Sequence, residues 1–410
     1  MYLKSIDIEN LRCFAAADAS FSAPNGRQLS NINLLLGDNG SGKSTVLKAI
    51  ALVLLGATLG TSGFRPFHLV RRGKMREWAP GVSVAKEHEL KIEAEFIEED
   101  RPLVARVALR PVGEEDVLLP QKTGYGEGFE TPDELYKGDV SRYFLCGYGS
   151  NRLSEKGHMF DASDRLKGRS VRYQRVSSLF DEGATLVPFS QVLQRAGLED
   201  ERREEIRQVL DTLLEEHLVT FSGISLGETQ YFTDSRGIHI PFGALSDGYQ
   251  AFLSWVGDLL YQLCTVTPAG VRLAATQGIV LIDEIDTFLH PNWQRTVLPQ
   301  VSLAFPSLQF FVTSHSPILA GTVEPDNLYV CESVDGKQVI RKASEGIYGK
   351  TAEDILLSSY FGLKSTRAPR AAEERRQLLE RREEAARRLL QENSRDAAHE
   401  YLELLEAESD

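Results

Sequence analysis

The chain has 410 residues, of which 42% are hydrophobic and 33 are glycine, so generic disorder is excluded and two or three average domains, or one large α/β head with insertions, fit the length. Its 46 basic and 59 acidic residues leave a net charge of −13, which excludes a polycation coating nucleic acid and confines any DNA contact to a local basic patch. The four cysteines, Cys13, Cys146, Cys264 and Cys331, lie far apart without a C-x-x-C pair; they read as buried thiols of a reducing cytoplasm rather than a zinc ribbon, disulfide framework or redox motif.

The opening residues already carry Lys4, Asp7 and Glu9, and no run of about 18 apolar residues follows, so a soluble, unprocessed cytoplasmic chain without a membrane span is expected. Residues 32–36 then form a short apolar run, and 44–55 read as a helix rich in Val, Leu, Ile and Ala. Between them, Gly37-Asp38-Asn39-Gly40-Ser41-Gly42-Lys43-Ser44 fits G-x-x-x-x-G-K-[ST]. Small residues let the backbone curl until several N–H groups point at one anion, and the following helix adds its positive end. On this reading Gly37 through Thr45 bind ATP, with Lys43 on the β- and γ-phosphates and the Ser44 hydroxyl completing a Mg²⁺ shell.

Leu90, Ile92, Ala94 and Phe96 alternate with charged residues, and 103–109 is strand-like again beyond a turn, which predicts an antiparallel β-subdomain. A further strand, 143–148, stops at Gly147-Tyr148-Gly149. From 150 to 245 the texture changes to short helices and polar turns, best formed at 198–218 around Ile206, Leu210, Leu213 and Leu214, and predicts a helical lobe. Phe252, Trp255, Val256, Leu259, Leu260 and Leu263 then line one face of a helix over 246–263.

Two near-continuous apolar runs follow, 279–282 and 308–312, as parallel strands covered on both faces should read. The first ends in Asp283-Glu284. As the chain leaves the sheet, Asp283 can face the metal while Glu284 reaches the water attacking the γ-phosphate, the two services that in-line phosphoryl transfer needs. The second ends in Thr313-Ser314-His315-Ser316, where His315 can hydrogen-bond the γ-phosphate and report its presence. The last residues, 371–410, are rich in arginine and acids and predict a solvated helical arm.

These elements, in this order, resemble the ABC-type P-loop ATPase heads of the SMC, RecF and OLD group. The resemblance implies an α/β fold with a mixed sheet, the antiparallel β-subdomain, the helical lobe and the C-terminal arm. It divides the chain into 1–149 and 246–345 as the two halves of the head, 150–245 as the lobe and 346–410 as the extension. Leu245-Ser246-Asp247-Gly248-Tyr249-Gln250 looks like the signature, normally L-S-G-G-Q, at a helix N-terminus suited to a second anion site. In such heads Ser246, Asp247 and Gly248 close on the ATP of a second copy, so an ATP-dependent homodimer is implied. Asp286 and Phe288-Leu289-His290-Pro291 look like the D-loop region, and Asn10-Leu11-Arg12-Cys13-Phe14 resembles the opening, where Arg12 approaches the nucleotide.

Two departures stand out. No glutamine occupies the Q-loop position after 143–148, leaving Ser150, Asn151 or Arg152 for part of its role, with Asn151 taken as the nucleotide contact. The segment 153–244 is too short for a long SMC coiled coil. Among relatives the chain therefore looks most like compact RecF-like heads and the defence ATPases of Septu and retron modules, whose ending 346–362 resembles. No D-x-D follows His315 and no H-N-H spacing occurs, so no intrinsic nuclease is expected and an effector nuclease or toxin would be a separate partner. Two basic islands, Arg165, Lys167, Arg169, Arg172, Arg175 and Arg65, Arg71, Arg72, Lys74, Arg76, are the candidate DNA contacts, with only Tyr173 and Trp78 as aromatic neighbours. A RecF-like repair or DNA-end-binding ATPase is the alternative function. A transporter nucleotide-binding subunit is disfavoured by the altered Q-loop, the compact lobe and the Arg12 entry.

Overall fold

Near-continuous apolar runs require a sheet covered on both faces, and β3 (Ile32–Leu36), β7 (Phe144–Tyr148), β13 (Gly278–Ile282) and β14 (Leu308–Thr313) satisfy this, being buried at every residue. In the computed structural model these four are mutually parallel, in the order β3-β14-β13-β7, with Ile282 level with Val312 and Tyr148, and Thr313 level with Leu35. The structure describes residues 1–24, 26–27, 29–60, 62, 64, 66–71, 89–98, 100–112, 115–119, 144–154, 171–194, 199–215, 219–226, 229–361, 363, 365–366, 369–392 and 401. These form two units, 1–351 and 352–410.

In the first unit, β15 (Leu328–Val334) adds in parallel to β3, and β16 (Lys337–Lys342) pairs back on β15 in antiparallel fashion, so the sheet is mixed. A second sheet, in the order β2-β1-β4-β5-β6, is wholly antiparallel. It is built from β1 (Tyr2–Leu11), β2 (Phe14–Ser20), β4 (Leu90–Glu98), β5 (Arg101–Val112) and β6 (Glu115–Leu118). Alternation in β4 and β5 buries one face and leaves the other wet, as the sequence pattern predicts.

Helix α1 (Lys43–Leu55) is apolar nearly all round and buried at 11 of its residues. A helix of that kind needs partners on several sides, and it packs against strands of both sheets. One continuous core results, joining Ile6, Ile8, Ile92 and Val107 of the antiparallel sheet to Leu35, Ile279, Leu281 and Phe311 of the other.

Residues 150–245 depart from a purely helical lobe. The described part holds α2 (Phe189–Gln194) and α3 (Asp200–Leu214), but also a three-stranded antiparallel meander of β10 (Val219–Leu226), β11 (Thr229–Asp234) and β12 (His239–Pro241). Its physical signal is a run of β-branched and aromatic residues that packs Phe221 against Phe232, ring centroids 5.4 Å apart, and both around Phe189. Polar residues between the rings mask the alternation in the sequence. Helix α4 (Asp247–Val266) follows, with Phe252, Trp255, Val256, Leu259, Leu260 and Leu263 all buried. The second unit contains a short helix, Ala352–Leu356, and the long charged helix Pro369–Glu392.

Candidate nucleotide site

Parallel strands align their carboxyl ends, so the loops that leave β3, β13, β14 and β7 gather at one edge of the sheet, the edge where open α/β sheets bind ligands. The loop after β3 curls tightly. At Gly37, with φ 142°, a Cβ would lie 2.2 Å from the Cys331 carbonyl oxygen, and at Gly42, with φ 107°, one would lie 2.5 Å from the Phe14 ring and 2.8 Å from Cys13 Sγ. Space and torsion both demand glycine there. Asp38, Asn39 and Gly40 are exposed at the tip.

Lys43 Nζ folds back to donate to the Gly37 and Asp38 carbonyls at 2.8 and 2.9 Å. Burial holds its pKa below the ordinary lysine value, against the opposing pull of Asp283, Glu284 and Asp38. Among the described residues, the buried Ser41 hydroxyl finds no hydrogen-bond partner. An orphaned donor and an ammonium held only by carbonyls are groups that a polyanion would satisfy. Thr45, also expected at the nucleotide, is buried.

The Ser44 hydroxyl donates to Asp283 Oδ1 at 2.9 Å, and Thr313 Oγ1 donates to the same oxygen at 2.6 Å. A hydroxyl beside a carboxylate is a hard oxygen donor set, and it fits Mg²⁺ better than a softer metal. Glu284 departs from the strand in the left-handed region, φ 48°. Its amide donates to Thr313 Oγ1 at 2.7 Å, and Thr287 Oγ1 donates to its carboxylate at 3.3 Å. Thr313 thus organises both acids; its sequence signal was only a hydroxyl at the end of an apolar strand.

His315 is half-buried at the exit of β14, the strand lying between those that lead to Lys43 and to Asp283. Its flanks are fixed, since Ser314 N donates to the Leu35 carbonyl and Ser316 caps the helix Pro317–Ala320. Another contact that sequence reasoning missed is the β15–β16 hairpin. Gln338, with its amide nitrogen facing the loop, donates to the Ser41 carbonyl at 3.3 Å.

Of the three candidates after β7, it is Arg152 that reaches the acidic strand end. Its Nη2 donates to the carbonyls of Asp283 and Glu284 at 2.5 and 2.8 Å. Burial lowers the guanidinium to about 10, with Asp283, Asp286 and Glu284 opposing the shift. Asn151 instead is exposed and donates to the Glu182 carbonyl at 3.3 Å.

Ser246 is the N-cap of α4 and is exposed together with Asp247. A Cβ on Gly248 would lie 2.6 Å from the Phe288 carbonyl oxygen, while the Phe288 side chain is 70% exposed with φ 65°. Signature and D-loop-like segments therefore share one solvent-facing surface. Arg12 is exposed, with φ 49°, and lines an open recess of about 480 Å³ with Cys13, His68, Val70 and Arg71. Through Cys13 that recess abuts Gly42.

The proposed basic islands fare differently. Arg175 is turned inward, donating to Gln262 Oε1 and Thr265 Oγ1 at 3.1 and 3.2 Å, and Tyr173 is 3% exposed. Neither is available to a phosphate backbone or a base, because Arg175 lies over the Phe144 ring of β7 and Tyr173 packs against Phe64 and Phe180. Arg65, Arg72, Lys74, Arg76, Trp78, Arg165, Lys167 and Arg169 lie outside the described residues.

Residues 1–167 match the family described as AAA ATPase domain, and residues 129–321 match the one described as "AAA domain, putative AbiEii toxin, Type IV TA system". Septu protein PtuA of Bacillus mycoides is 26% identical over 369 residues, 89% of this chain and 45% of that protein. The protein named Retron Vc95 probable ATPase, of Vibrio cholerae, is 32% identical over 121 residues, 30% of this chain and 24% of that protein. The chain thus spans less than half the length of these relatives. Among solved structures, the SMC head domain from Thermotoga maritima is 15% identical, with 84% of this chain and 100% of that one covered and a TM-score of 0.46.

Proposed function

We propose that the chain is an SMC- and RecF-like P-loop ATPase head of the antiphage-defence type, that it binds and hydrolyses ATP with Mg²⁺, and that it closes on a second copy to switch a defence complex. The observation that carries this reading is the Ser44–Asp283 hydrogen bond, which draws the glycine loop and the acidic strand end together beside Glu284.

In this reading the amides of residues 37–45 and the Lys43 ammonium take the phosphates, and Ser44 and Asp283 hold the metal. Bound Mg²⁺ supplies charge neutralisation of the phosphates. Glu284 orients the attacking water and accepts its proton, and His315 donates to the γ-phosphate. Arg12 and Asn151 flank the nucleotide. Ser246, Asp247 and the α4 N-terminus meet the ATP of the second copy, a reading supported by their exposure beside Phe288. A separately encoded effector nuclease or toxin is the partner in this reading.

The test is calorimetry of the purified chain with ATP, with and without Mg²⁺, followed by phosphate release. Magnesium-dependent binding and turnover are expected. Absence of both overturns the reading.

A further inference from the structure

Resting on the ATPase reading above, we infer that Arg152 is the positioning residue for Glu284: by clamping the carbonyls of Asp283 and Glu284, it takes the place of the Q-loop glutamine without being a ligand of the nucleotide.

Glu284 has φ 48°, a left-handed conformation that is unfavourable for a non-glycine residue and persists only where its surroundings enforce it. Three contacts enforce it from one side: Glu284 N on Thr313 Oγ1, Ile285 N on the Thr313 carbonyl, and Thr287 N on the Glu284 carbonyl. All belong to the two strands and the turn itself. The remaining contact comes from a different segment, since Arg152 follows β7 and lies 132 residues before Glu284. One Nη2 reaching two successive carbonyls fixes the two peptide planes that flank the Glu284 Cα, and these set where the Glu284 side chain starts.

Charge explains why an arginine is used. Asp283, Glu284 and Asp286 all act on the guanidinium, yet among the described residues its hydrogen bonds go to main-chain oxygens. A planar cation offers several donors in a fixed fork and leaves the carboxylates free for metal and water. Among the described residues, neither Arg152 Nε nor Asp286 Oδ1, both buried, has a hydrogen-bond partner. The side chain is therefore held in place by Nη2 and the surrounding negative charge.

The test uses the full chain as Arg152→Ala, Arg152→Lys and Arg152→Gln, with kcat and KM for ATP and nucleotide Kd measured by calorimetry. Misplacement of a catalytic group predicts a kcat loss of about 10- to 100-fold in Arg152→Ala with Kd and KM within about threefold. Arg152→Lys, which keeps a cationic donor, recovers much of kcat, and Arg152→Gln does not. An unchanged kcat in Arg152→Ala overturns the inference, as does a loss of ATP affinity matching the loss of kcat, or full activity in Arg152→Gln. Should Arg152→Ala not fold, the Lys and Gln variants carry the comparison. No turnover by the unsubstituted chain defeats the ATPase reading itself, whereas turnover that Arg152→Ala leaves intact defeats only the inference.

Discussion

Ser44 and Asp283, 239 residues apart, are joined by a 2.9 Å hydrogen bond at the meeting point of α1 and β13. Both oxygens are hard donors that would hold a divalent cation. Asp283→Asn removes the negative charge while preserving shape. We expect it to weaken Mg²⁺-dependent ATP affinity by about tenfold or more, the effect of losing one charged oxygen ligand or partner, with metal-free binding little changed. Calorimetry with and without Mg²⁺ reads both.

Glu284→Gln keeps the hydrogen-bonding shape and removes the base. A general base contributes about 10²- to 10⁴-fold, so phosphate release should fall by that factor while ATP still binds. The stalled, ATP-loaded chain should then accumulate as a dimer in light scattering. Full turnover in this variant would remove Glu284 from its role.

Gly248 has no room for a side chain, because a Cβ would meet the Phe288 carbonyl at 2.6 Å. Gly248→Ala must push Phe288, whose ring is 70% exposed on the same surface. The expected cost is about 1–3 kcal/mol of stability, typical of overpacking. ATP-dependent dimerisation should weaken in sedimentation experiments while nucleotide affinity of the monomer is retained.

Cys331, on β15 behind Gly37, is buried, and desolvation pushes its thiol from the ordinary 9.0 up to about 12. The folded chain therefore keeps a proton that the unfolded chain releases between pH 9 and 12. Stability from this group is complete below pH 9 and declines through that window by up to about 1.4 kcal/mol per pH unit. Denaturant titrations at pH 8, 9 and 10 on the chain and on Cys331→Ala should give a steeper decline for the unsubstituted protein; parallel slopes would show that the thiol does not contribute.

The buried strands and the helix behind the phosphate loop were legible because each is specified locally. Continuous apolar runs in β3, β13 and β14 leave no exposed face, and the glycines before Lys43 announce a turn. The β15–β16 hairpin and the β10–β12 meander were not read, since their strands mix polar with apolar residues and take their place only by pairing with distant neighbours. The same holds for Arg175, which reads as one more charge in a basic run until Gln262 and Thr265 of α4 claim it.

By itself the sequence determined which residues could carry phosphate chemistry: Lys43, Ser44, Asp283, Glu284 and His315, each at the end of a periodic element. Only the tertiary structure decided which of Ser150, Asn151 and Arg152 meets the acidic strand, that Thr313 ties the Asp283 carboxylate to the Glu284 amide, and that Thr45 is buried. The reason is that side-chain type and local periodicity are written along the chain. Which hydrogen bond a loop residue makes depends instead on the register of parallel strands far apart in sequence.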